Sequence, residues 1–150
     1  MERFESVEEV LEFAIAREME SQDFYMKLAE RMENPAMQKV FENFAAEELG
    51  HRLKLEAIKR GHILLGQEEV KSLEIADYVV DVEPRPDMDY AEVLVVAMKK
   101  EKAAYRLYLD LAAAAEDEEL TDMFLLLAQE EAKHKLRFEI EYDDIVLKED

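Results

Sequence analysis

Laid over itself with an offset of 83 residues and no gap, the chain places Glu18 on Glu101, Tyr25 on Tyr108, Leu28-Ala29 on Leu111-Ala112 and Phe41 on Phe124. The match continues through Ala45 on Ala128, Glu47-Glu48 on Glu130-Glu131, His51 on His134 and Leu53 on Leu136. A repeat of this kind restricts the fold to two copies of one unit, packed about a pseudo-twofold axis. Whatever lies on that axis would be held by the same residues from each half.

The unit itself reads as a helical hairpin, because a 3.6-residue apolar period runs through both copies. Ser6-Val7-Glu8-Glu9 is a capping-box pattern that starts the first helix, and Phe4, Leu11, Glu18, Tyr25 and Met32 keep to one side of it, with Val7, Ala14 and Leu28 beside them. Asn34 as N-cap and Pro35 at the first helical position start the second helix. It carries Met37, Phe41, Phe44, Glu48, His51, Leu55 and Ile58 at steps of four and three, and Gly61 closes it. The period then fades from about 62 to 86, through Gly66, Tyr78-Val79-Val80 and Pro84-Arg85-Pro86. A connection of that length predicts a crossover along the bundle rather than a tight turn. Asp87 or Asp89 caps the third helix, with the stripe Tyr90, Leu94, Ala97, Glu101, Ala104, Tyr108 and Leu111. After a polar break at Glu116-Asp117-Glu118, the fourth repeats Leu120, Phe124, Leu127, Glu131, His134 and Phe138. The tail beyond Tyr142 carries no assignment. The expectation is one all-α domain over 1–150, a four-helix bundle with hairpins at 6–61 and 87–142 joined by a crossover at 62–86. Two short loops around one long connection is the topology of ferritin-like bundles.

Composition narrows the function. A formal net charge of −19 excludes nucleic acid, whose phosphates need a basic surface to displace their counterions, and it disfavours anionic membranes. No apolar run of about 18 residues spans a bilayer. The N-terminus, Met1-Glu2-Arg3-Phe4-Glu5-Ser6, lacks the apolar stretch of a secretory signal, so the expected location is the cytoplasm. With zero cysteines, disulfides, iron–sulfur clusters and thiol catalysis are excluded. Most of the carboxylates read as a solvated surface.

Four do not. Glu18, Glu48, Glu101 and Glu131 fall near the middle of the four apolar stripes, and His51 and His134 follow three positions after Glu48 and Glu131. Residues three apart share a helix face. Buried carboxylates must neutralise, pair or bind a metal, and four of them on inward faces require countercharge that two divalent cations would supply. One Glu-x-x-His on an acidic helix arises by chance; two at one offset, each preceded by a stripe glutamate, do not. An oxygen-rich set with one imidazole per ion suits iron or manganese better than calcium or zinc. Di-iron carboxylate bundles use this set, a glutamate from two helices and Glu-x-x-His from the other two. Glu47 and Glu130 lie one step off the stripe and read as solvated or as neighbours of the ligands rather than as ligands. Tyr25 and Tyr108 lie two turns from Glu18 and Glu101 and read as core residues able to orient a ligand. His62 falls outside the repeat as a loop histidine, and the methionines are core filler.

Ala14-Ile15-Ala16-Arg17-Glu18, Phe24-Tyr25-Met26-Lys27-Leu28-Ala29 and Phe41 through Glu48-Leu49-Gly50-His51 resemble the rubrerythrin branch of the ferritin-like superfamily. The resemblance covers roughly residues 6–142. It implies two iron ions, cycling between Fe2+ and Fe3+, on Glu18, Glu48, His51, Glu101, Glu131 and His134. It further implies redox chemistry with hydrogen peroxide or dioxygen, of the kind that answers oxidative stress, and commonly a homodimer. Many members add a rubredoxin domain with four cysteines. This chain has none, so a separate donor such as a rubredoxin-like protein would bring the electrons. Members also often carry a glutamate three residues past the third-helix ligand, where this chain has Ala104. The remaining ligands match bacterioferritin-type ferroxidase centres equally, so iron uptake or buffering stands as the alternative to an oxidoreductase, and a purely structural metal as a third reading.

Overall fold

The computed structural model describes residues 2–61, 65–80, 82, 85 and 87–149, the last two by backbone alone. Its regular structure is helical: α1 (Val7–Arg31), α2 (Pro35–Arg60), the short α3 (Gln67–Lys71), a 3-10 turn over Ile75–Tyr78, α4 (Tyr90–Ala114) and α5 (Glu118–Glu149). Arg3 and Glu74 pair as an isolated antiparallel bridge. None of the helices is long and apolar enough to cross a membrane.

Each long helix starts where a side chain satisfies backbone N–H groups that the first turn leaves open. Ser6 accepts from the Glu9 N–H at 3.0 Å, Asn34 from Ala36 at 2.8 Å, Asp89 from Glu92 at 2.8 Å and Asp117 from Leu120 at 3.0 Å. Of the two aspartates open for the third long helix, the structure selects Asp89. Gly61 does end α2, its N–H reaching Ala57 and Ile58 carbonyls, but at φ −91°. Gly61 is thus the C-terminal cap expected, at a position that does not use glycine's conformational freedom. Two features went unforeseen: α3 and the 3-10 turn inside the stretch expected to be irregular, and α5 continuing to Glu149 through the unassigned tail. His62, Pro84 and Pro86 lie outside the described residues.

Chain contacts divide the protein into two compact units, Phe4–Lys71 and Met1–Arg3 with Ser72–Asp150. In the first, α1 packs on α2 and α3 on α1. Its fully buried side chains include Val10, Leu11, Phe41, Leu55 and Val70, and Phe4 meets Phe13 edge to face at 5.3 Å. In the second, α4 packs on α5 and the 3-10 turn on α4, around Leu94, Leu111, Phe124, Leu127 and Phe138. Each such side chain contributes about 1.5–3 kcal/mol by leaving water. These apolar layers surround the only charged or imidazole side chains that are buried among the described residues: Glu18, Glu48, His51, Glu101, Glu131 and His134.

Candidate metal centre

In the first hairpin, Glu18 sits in the same register of α1 as Leu11, Ala14 and Tyr25, so the face that builds the core also carries the carboxylate inward. Glu48 and His51 do the same on α2, between Ala45 and Leu55. All three are at most 2 % exposed. His51 Nδ1 lies 3.6 Å from Glu18 Oε2 and 3.4 Å from Glu48 Oε1.

The second hairpin repeats the arrangement. Glu101 comes from α4, Glu131 and His134 from α5, again at most 2 % exposed. His134 Nδ1 lies 3.6 Å from Glu101 Oε2 and 4.0 Å from Glu131 Oε1. In each triad one potential ligand atom from every residue falls within 4.8 Å of the others, and no further His, Asp or Glu of the same hairpin joins either triad among the described residues.

These separations carry chemical meaning. They exceed the ~2.7–3.2 Å of a direct N–H···O hydrogen bond. Two ligand atoms about 2.1 Å from a shared ion are roughly 3.0–3.7 Å apart when they subtend 90–120° there. Three of the four separations fall in that span, and the fourth exceeds it by a few tenths of an ångström, within reach of a small side-chain rotation. Two buried carboxylates beside one imidazole also carry negative charge that a bound cation would balance. The donor set, carboxylate oxygens with one imidazole nitrogen per triad, fits iron or manganese.

The neighbouring residues divide as their register predicts. Tyr25 and Tyr108 are both 1 % exposed; Tyr25 meets Phe24 and Phe44 edge to face at 5.5 and 5.8 Å, while Tyr108 stacks on Phe124 at 6.4 Å. Glu47 is exposed and Glu130 half-buried, in keeping with positions off the stripe.

The rubrerythrin family model matches residues 9–88 and 92–150, nearly the whole chain. The chain belongs to the rubrerythrin family. Two solved structures share the fold of this rubrerythrin-family chain. One is a Thermotoga maritima protein described as a ferritin-like diiron-carboxylate protein, 23 % identical, with a TM-score of 0.79 over 95 % of this chain and 98 % of that one. The other is a Pyrococcus furiosus protein described as hypothetical, also 23 % identical, with a TM-score of 0.71 over 91 % and 87 %. A comparison with curated sequences returned no match. The ferritin-like, all-helical fold expected from the repeat is thus the fold of this rubrerythrin-family protein.

Proposed function

We propose that this rubrerythrin-family chain is a non-haem di-iron redox protein that reduces hydrogen peroxide or dioxygen with electrons from a separate donor. The observation that carries the proposal is the duplicated buried triad, Glu18-Glu48-His51 and Glu101-Glu131-His134. In this reading these six residues are the ligands of two iron ions. When bound, such a pair supplies two electrons, enough with two protons to convert one hydrogen peroxide to two waters.

The rest falls to the protein. The triads fix the donor atoms before the metal arrives, and Phe41, Phe124 and Leu127, all fully buried, keep bulk water away. Tyr25 and Tyr108 orient a ligand carboxylate through their hydroxyls. In this reading the electrons come from another protein or a small reductant.

A second reading, a ferroxidase that takes up or buffers iron without sustained turnover, is favoured by one feature. Ala104 stands where many family members carry an additional glutamate, and it offers no donor atom. Anaerobic reconstitution with Fe(II), followed by addition of peroxide or air, tests both. Two irons per chain and a near-ultraviolet ferric absorption that bleaches repeatedly with reductant support the oxidoreductase. A single oxidation without recovery supports the ferroxidase. Failure to bind stoichiometric iron, with Mn(II) bound instead, would shift the metal assignment and remove the iron chemistry.

A further inference from the structure

Between Val93 and Leu109 the only acidic residue is Glu101, which is buried, in a chain where 38 of 150 residues are Asp or Glu. The same stretch carries Lys99, Lys100, Lys102 and Arg106. Lys99, Lys102 and Arg106 are exposed on one line of α4, at steps of three and four, with Tyr105 and Leu109 partly exposed beside them. Lys99 and Lys102 make no ion pair among the described residues, whereas Arg106 holds Asp77 at 3.3 Å.

The repeat shows that helix packing does not dictate this charge. The equivalent α1 positions are Ala16, Met19, Gln22, Asp23 and Met26, so three positive charges stand where the other copy has one negative. Like charges at that spacing repel one another, so the line is a cost to α4 taken alone. It belongs to one half only.

We propose that this line is where the electron donor docks, and that the donor is a small acidic electron-carrying protein. The proposal rests on the redox reading above. Charge complementarity selects the occupant. A long polyanion or an anionic membrane would meet the −19 of the whole chain, whereas a compact acidic protein touches the basic line alone. About 15 Å of helix separates Lys99 from Leu109, a span suited to the small, short-lived contacts of electron transfer. Tyr105 and Leu109 supply the apolar part of that contact. Glu101 leaves the same turns inward, so one helix, about 10 Å across, separates a seated carrier from its carboxylate. Each encounter passes one electron from the carrier, and two encounters replace the two electrons given to one peroxide.

The probe is a reduced acidic rubredoxin, and the readout is the rate at which it bleaches the ferric absorption of the oxidised, iron-loaded chain. At low salt the double variant Lys99→Gln/Lys102→Gln should slow that rate about tenfold, and added salt should erase the difference. Glutamine keeps the helix propensity of lysine, so the fold is retained. The control Ala16→Glu/Met19→Glu lowers net charge equally, at the equivalent α1 positions, and should leave the rate nearly unchanged. A neutral quinol should bleach all three chains alike. In the metal-free chain, zinc-substituted rubredoxin should shift the amide resonances of α4 around Lys99–Leu109 and not those of α1 around Ala16–Met26. Equal slowing by both double variants, or shifts elsewhere, overturns the docking surface and leaves the redox reading standing. Failure of the quinol to bleach the centre overturns both. A changed sedimentation mass for Lys99→Gln/Lys102→Gln would assign the line to contact between copies and overturn the acidic carrier.

Discussion

The hydroxyl of Tyr78 donates a 2.5 Å hydrogen bond to Asp110, 32 residues further along, and so fastens the 3-10 turn to the C-terminal part of α4. The neighbouring Asp77 is bound to Arg106 of the same helix at 3.3 Å, and Glu74, just before the turn, pairs with Arg3. The segment that leads into the second hairpin is therefore held at three successive points.

That hydrogen bond sets a pH dependence. Burial first, and then the bond to Asp110, push the Tyr78 hydroxyl well above its ordinary value of 10.0. The folded protein retains the proton that the unfolded chain releases, so the contribution to stability is complete below about pH 10 and declines as pH rises beyond it. Tyr78→Phe should lower stability by about 1.5 kcal/mol at neutral pH, as expected for loss of a hydrogen bond to a charged group. Denaturant midpoints between pH 8 and 11 should fall less steeply in the variant; equal slopes would mean that Tyr78 is not the group responsible.

Helix starts should respond to loss of their caps. Ser6→Ala and Asp117→Ala each remove the acceptor for a first-turn N–H and should cost about 1 kcal/mol apiece. The residues lie far apart in sequence on different helices, so the double variant should lose nearly the sum, as thermal unfolding can show.

The repeat makes a quantitative demand on the core. Phe41 and Phe124 occupy equivalent positions and are both fully buried. Replacing either by alanine should destabilise the protein by about 3–5 kcal/mol, with the two losses within experimental error of one another if the surroundings are as alike as the sequences.

Metal binding should be equally symmetric. Glu48→Ala and Glu131→Ala should lose similar amounts of bound metal by elemental analysis. In the wild type, a metal at a hundred times its dissociation constant should raise stability by about 2.7 kcal/mol, and both variants should show a smaller rise. One variant retaining two ions per chain while the other loses both would sink the symmetric model.

Much of this was legible in the residues themselves. The period-3.6 stripes locate all four long helices, since core-facing positions such as Leu11, Phe41, Leu94 and Phe124 cannot be polar without cost. Ser6, Asn34 and Asp89 mark starts because their side chains compete for the same N–H groups that a helix leaves open. The six buried polar residues stand out for a related reason: charge on an apolar stripe is too expensive to be casual. What escaped was decided by tertiary contact. The 3-10 turn over Ile75–Tyr78 has no period of its own, and it is held by Asp110 and Arg106, about thirty residues distant. The extension of α5 past Tyr142 carries acidic residues and few inward apolar ones, and Tyr90, which donates to Glu141 at 3.3 Å, ties α5 to α4 just before it.

Each triad draws its three residues from helices adjacent in sequence, and that bears on the order of events during synthesis. Such short-range closure is the fast kind, because little chain entropy is lost before the contacts form, and N-terminal units emerge and fold first. The Glu18-Glu48-His51 hairpin is complete while α4 and α5 are still untranslated. A nascent chain on the ribosome would thus already present two carboxylates and an imidazole to passing cations, before its second half exists.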